Sequence, residues 1–117
     1  MAQPQRILLV EDDPIIASIL QDLLEDACFD VDGPHATLGE GMAAVAAHFP
    51  DGAVLDIRLK DRDVGLLAED LENYDIPFLF CSGVGPDPVS AGHPDAPLVP
   101  KPALNRRLIP TLQAMLA

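Results

Sequence analysis

The chain has 117 residues, 49% of them apolar, with 19 acidic residues against seven Lys plus Arg and a formal net charge of −12. That size suits one domain with a single core, and the apolar content makes no case for disorder. No apolar run approaches the roughly 20 residues of a membrane span, and so acidic a chain repels phosphate backbones and anionic lipid, which sets aside membrane and nucleic-acid binding.

The opening residues MAQPQRILLV lack the charged region, long apolar region and cleavage site of a signal peptide, so a cytoplasmic protein is expected. Arg6–Val10 is a short apolar run that ends in three acids, the pattern of a buried strand. From Pro14 the period changes. Ile15, Ile16, Ile19, Leu20, Leu23 and Leu24 share one face of a predicted helix, with Pro14 in its first turn and Asp13 as its cap.

Phe29–Gly33 reads as a weaker strand, and Leu38, Met42, Val45 and Phe49 mark a second helix. Gly52–Ile57 is a third strand, followed by a helical stripe of Leu67, Leu71 and Tyr74. Ile76–Cys81 and Pro97–Pro100 are the fourth and fifth strands. Between them, seven of the fifteen residues from Gly83 to Pro97 are Gly or Pro, which is hostile to a regular helix. Leu104, Leu108, Leu112 and Met115 form a last helical stripe. Pro110 interrupts it, so that helix either starts late, near Arg106 or Arg107, or is kinked.

Alternating strands and helices with near-continuous apolar strands imply a doubly wound α/β domain on a parallel sheet. In such sheets function gathers at the carboxyl ends of the strands. The first strand ends at Glu11, Asp12 and Asp13, the third at Asp56, the fourth at Ser82 and the fifth at Lys101. Taken alone, the acidic triplet could merely cap a helix, and Asp56 could be an ordinary loop acid. The conjunction carries more. Converging carboxylates repel one another unless protons or a cation intervene, and an oxygen-only ligand set suits a hard ion such as Mg2+. A carboxylate can attack phosphorus to give an acyl phosphate, while a lysine and a hydroxyl stabilise the phosphoryl oxygens. Aspartates are ordinarily ionised at neutral pH, so no separate base is required.

The stretches ILLVEDDP, AVLDIRL, FLFCSG and VPKP, in that order and spanning essentially the whole chain, resemble the receiver domain of two-component response regulators. The resemblance implies a flavodoxin-like, five-stranded parallel sheet and one receiver domain over residues 1–117 without an output domain. It makes Asp56 the phosphoacceptor for a histidine kinase. Mg2+ or Mn2+ would be held by Asp12, Asp56, the backbone carbonyl of Arg58 and, through water, Glu11. Asp13 would be a cap, Ser82 would stand for the switch hydroxyl and Lys101 for the family's lysine, often followed by a cis bond to proline. The protein would be a phosphoacceptor and not an enzyme, passing its signal to a protein target or a phosphotransfer protein.

Two features depart from the common pattern. The residue three before the lysine is Leu98 and not an aromatic, and a fourth helix is expected to be short, irregular or absent. PFLFCSGVG (Pro77–Gly85) is similar to the PFxFATGY motif of single-domain receivers from alphaproteobacteria, with Cys-Ser in place of Ala-Thr and Val84 where an aromatic is usual. A binding module that works without phosphorylation is the alternative reading. Elsewhere, Cys28 and Cys81 form no CxxC and are expected to be free buried thiols. His93, with Asp87 and Asp95, is expected on a solvated loop, His35 and His48 as structural residues, and Arg106 and Arg107 exposed.

Overall fold

The computed structural model describes residues 3–60, 62–83 and 87–117. Val84, which bears on the motif similarity above, lies outside them. In chain order the elements are β1 (Arg6–Val10), α1 (Pro14–Asp26), β2 (Asp30–His35), α2 (Leu38–Ala47), β3 (Gly52–Asp56), α3 (Gly65–Asn73), β4 (Phe78–Ser82), α4 (Pro88–Ala91), β5 (Leu98–Pro100) and α5 (Leu104–Leu116). All five strands are parallel, in the order β2-β1-β3-β4-β5.

Alternation along the strands divides the core in two. Leu8, Val10, Leu55 and Phe80 point to the face covered by α2 and α3, where Val45, Leu67 and Leu71 meet them. Ile7, Leu9, Val54, Leu79 and Val99 point to the face covered by α1 and α5, against Leu20, Leu24, Leu108 and Leu112. The central strands β1, β3 and β4 are therefore buried on both sides, which explains their unbroken apolar runs. At Gly41 an added Cβ would lie 3.0 Å from Leu67 Cδ2 and 3.0 Å from Val10 Cγ2, so glycine lets α2 sit close to both α3 and the sheet.

The edges differ from the centre. β2 carries Asp30, Asp32 and the Gly33–Pro34 pair, and its pairing with β1 is irregular between Leu8 and Val10. Gly33 has φ 129°, and a Cβ there would fall 2.5 Å from the Leu9 carbonyl oxygen. β5, at the opposite edge, is three residues long and ends in Pro100.

Several local expectations need correction. α1 buries Ala17, Leu20 and Leu24, while Ile15 is 71% exposed and Ile19 also lies on the outside. Phe49 and Tyr74 fall just past their helices, exposed, with their rings edge to face at 4.9 Å. α5 does not start late, near Arg106 or Arg107. It begins at Leu104, after a single 3-10 turn over Lys101–Ala103, and runs through Pro110, whose ring lies on the exposed side. The Lys101–Pro102 bond is trans, inside the 3-10 turn that leads α5, and among the described residues the Gly33–Pro34 bond is cis. Cys28 is exposed, with φ 68°, at the turn after α1; only Cys81 is buried, and both are free.

Candidate functional site

The order β2-β1-β3 reverses the direction of winding between β1 and β3, which opens a crevice at their carboxyl ends. Glu11, Asp12 and Asp13 follow β1 into it, Asp56 is the last residue of β3, Ser82 the last of β4, and Lys101 follows β5 directly. Because the strands are parallel, every one of these positions reaches the same edge. Glu11, Asp56 and Ser82 are buried there, at 2%, 5% and 5% exposure.

Lys101 Nζ lies 3.2 Å from Glu11 Oε1 and 3.4 Å from Asp56 Oδ1, so one ammonium faces two buried carboxylates. One carboxylate oxygen each from Glu11, Asp12 and Asp56 lie within 4.8 Å of one another. Glu11 Oε2 accepts a hydrogen bond from the Asp13 amide at 3.1 Å, and Asp12 Oδ2 accepts one from the Lys60 amide at 2.6 Å. Asp13 itself is turned away. Its Oδ1 accepts from the amides of Ile15 (2.9 Å) and Ile16 (3.3 Å), making it the cap expected of it.

Burial, with the hydrogen bond and charge of Asp56, pushes the Glu11 carboxyl up to about 7. Burial acts in the opposite sense on Lys101, but the charges of Asp56 and Glu11 outweigh it and raise the ammonium above its usual range. Burial, followed by the same two carboxylates, lifts the neighbouring Cys81 thiol to about 12, which leaves it a small apolar strand residue. Glu11 Oε1 is fully buried, and among the described residues its near neighbour is Lys101 Nζ at 3.2 Å. Three carboxylates whose oxygens converge at a strand edge fit a hard cation, and a site made only of oxygen donors is compatible with Mg2+.

Two ion pairs escape a reading from sequence alone. Arg58, two residues past Asp56, donates to Asp87 Oδ2 from Nε (3.1 Å) and Nη2 (2.7 Å), and its Nη1 stands 3.9 Å from Asp63. Asp87 is 7% exposed and caps α4. Asp-Pro-x-Ser is itself a helix-start pattern, with Pro88 at the first position and Ser90 closing a capping box, but its Gly/Pro setting hides it. His93 is not on a solvated loop. Its ring packs on Phe78 and Phe80 and bonds Glu72 of α3, tying the chain beyond α4 to the body. Asp95 is exposed, as are Arg106 and Arg107; His35 pairs with Asp32 at 3.0 Å, and His48 is exposed. Leu98 packs against the core on the side of α3.

No family model matches the chain. The chain is 34% identical to SdrG from Sphingomonas melonis Fr1, each covered in full, with a TM-score of 0.85, and at the same identity and coverage it matches the BeF3-activated conformation of SdrG with a TM-score of 0.80. A CheY-like response regulator receiver domain protein from Methanospirillum hungatei JF-1 is 25% identical, over 97% of this chain and 94% of that one, with a TM-score of 0.84. Among curated proteins, the DNA-binding transcriptional activator DevR/DosR of Mycobacterium tuberculosis is 42% identical over 67 residues, 56% of this chain and 31% of that protein. The chain thus spans about a third of that relative. With a flavodoxin-like sheet, acids after β1 and β3 and a lysine after β5, the chain belongs to the response regulator receiver domains of two-component signalling.

Proposed function

We propose that the protein accepts a phosphoryl group on Asp56 from a histidine kinase and signals by binding a partner protein or by passing the group to a phosphotransfer protein. The observation that carries this reading is Asp56 itself, buried at a strand end between Lys101 and the Glu11–Asp12 acids. An Asp56 carboxylate oxygen attacks the phosphorus of a phosphohistidine. The new O–P bond forms as the P–N bond breaks, and the leaving imidazole nitrogen keeps the electron pair and takes up a proton. Lys101, already aimed at Asp56 Oδ1, and the Ser82 hydroxyl supply donors to the phosphoryl oxygens.

Asp12, Asp56 and the Arg58 carbonyl would hold Mg2+ or Mn2+ directly, and Glu11 through water. A bound ion neutralises charge on the phosphoryl oxygens. The chain's own residues prepare that place: the Lys60 amide orients Asp12, and the Asp13 amide orients Glu11. The activity is that of a phosphoacceptor, limited to self-catalysed transfer and dephosphorylation. The acidic surface argues against a nucleic-acid partner, a cytoplasmic location fits a kinase partner, and the PFLFCSG stretch with its one-turn α4 supports membership of the PFxFATGY-type receivers.

Incubation with acetyl phosphate and Mg2+, followed by intact mass, tests the reading. One phosphoryl adduct in the wild type and none in Asp56→Asn is the expected result; no adduct from acetyl phosphate or from a competent kinase would overturn it. Leu98, in place of a mobile aromatic, favours a second reading, a phosphorylation-independent binding module. Partner binding unchanged by Asp56→Asn under phosphorylating conditions would select it.

A further inference from the structure

We propose that the Arg58–Asp87 ion pair reports the state of Asp56 to α4: it holds the short helix against the β3–α3 loop in the unmodified protein and releases it when a phosphoryl group arrives. The release rests on the reading of Asp56 as phosphoacceptor; the holding does not.

The described residues beside Arg58 are tied to the body. Arg58 bridges Asp63 in the antiparallel sense, the Leu59 amide bonds the Arg62 carbonyl at 3.0 Å, and the Val64 amide bonds the Ile57 carbonyl at 3.1 Å. Lys60 ties the same loop to Asp12. From there the guanidinium crosses to Asp87, 29 residues further along the chain, and gives it two charge-assisted hydrogen bonds.

The far end is held by this pair, by Val89 resting on the core and by His93 beyond the helix. α4 is a single turn of four residues with none buried, too short to persist by itself. Its start depends on Asp87, whose Oδ1 accepts from the Val89 amide at 2.9 Å while Oδ2 faces Arg58. Were Arg58 withdrawn, a carboxylate that is only 7% exposed would be left without its cation, a costly state relieved by opening the turn to water.

A phosphoryl group on Asp56 supplies the reason to withdraw. It places up to two negative charges two residues from Arg58, and guanidinium groups favour phosphate oxygens as bidentate partners. The Arg58 side chain is 59% exposed and has room to turn. Asp87 and the phosphoryl group then compete for one cation, and α4 loosens as the site fills. No aromatic at Leu98 is needed for that coupling.

Hydrogen exchange at the Val89, Ala91 and Gly92 amides tests both halves, in wild type, Arg58→Ala, Asp87→Asn (which keeps a capping side chain) and the double variant. In the unmodified protein, Arg58→Ala should raise exchange at these amides roughly tenfold, and should add nothing further in the Asp87→Asn background. With Mg2+ and beryllofluoride, the wild type should rise to the Arg58→Ala level, and Arg58→Ala should rise no further. Unchanged exchange in Arg58→Ala, or equal effects in both backgrounds, overturns the holding contact. Wild-type exchange that does not rise, in protein whose intact mass shows that Asp56 accepts a phosphoryl group, overturns the release alone. Absence of any adduct overturns the phosphoacceptor reading and the release with it, while the variant cycle in unmodified protein still decides whether the pair holds α4.

Discussion

Glu11 carries a proton balance that differs between the folded and unfolded chain. Its carboxyl titrates near 7 when folded, raised by burial and by Asp56, against 4.5 when free. The folded state therefore binds the extra proton between those values. Stability from this group is fully present below about 4.5 and is lost as pH rises through 7. In urea titrations without divalent ions, the wild type should lose stability relative to Glu11→Gln between pH 5 and pH 7.5; parallel profiles would contradict it. The thiols offer a second check at this scale. Cys28 is exposed and Cys81 is buried with its thiol lifted to about 12. A thiol reagent should label one cysteine promptly in native protein and the second only on unfolding, and Cys28→Ser should remove the prompt phase.

Among the elements, α5 runs through a residue that cannot donate. Pro110 leaves the Arg106 carbonyl without its helical hydrogen bond, on an exposed face where water can replace it. Pro110→Ala should stabilise the domain by about 1–3 kcal/mol, read as a higher urea midpoint with unchanged slope. The β1, β3 and β4 strands were legible from sequence because burial on both faces writes an unbroken apolar run. The outer faces of helices were less so. Ile15 and Ile19 satisfy the apolar period of α1, yet Ala17, Leu20 and Leu24 make the contact with the sheet. Period alone cannot rank the apolar residues of a broad stripe. The Gly/Pro segment hid more, since composition announces a loop but not its partners: His93 meets Phe78, Phe80 and Glu72, and Asp87 meets Arg58, through tertiary proximity that no local pattern encodes.

For the molecule as a whole, the parallel sheet converts scattered sequence positions into one site. Glu11, Asp12, Asp56, Ser82 and Lys101 could be nominated together because strands running in one direction deliver their last residues to one edge. The same argument predicts how a divalent ion acts on global stability. Mg2+ that binds the folded site alone, at ten times its dissociation constant, should contribute about 1.4 kcal/mol, a rise of several degrees in melting temperature. Asp12→Asn should abolish most of that rise while leaving the metal-free melting temperature nearly unchanged, since Asp12 is only part-buried. An equal rise in both proteins would place the ion elsewhere.

The two borders of the sheet bear on how this chain behaves when crowded. A parallel sheet ends in two rows of unpaired amides and carbonyls, which could template the next copy. Here one border is broken by Gly33–Pro34 and flanked by Asp30 and Asp32, and the other is three residues long and closes on a proline. Neither offers a flat, continuous ladder for a neighbour to zip onto. With its net charge of −12 adding mutual repulsion, the folded chain should resist fibrous self-association despite an interior rich in strand-forming residues.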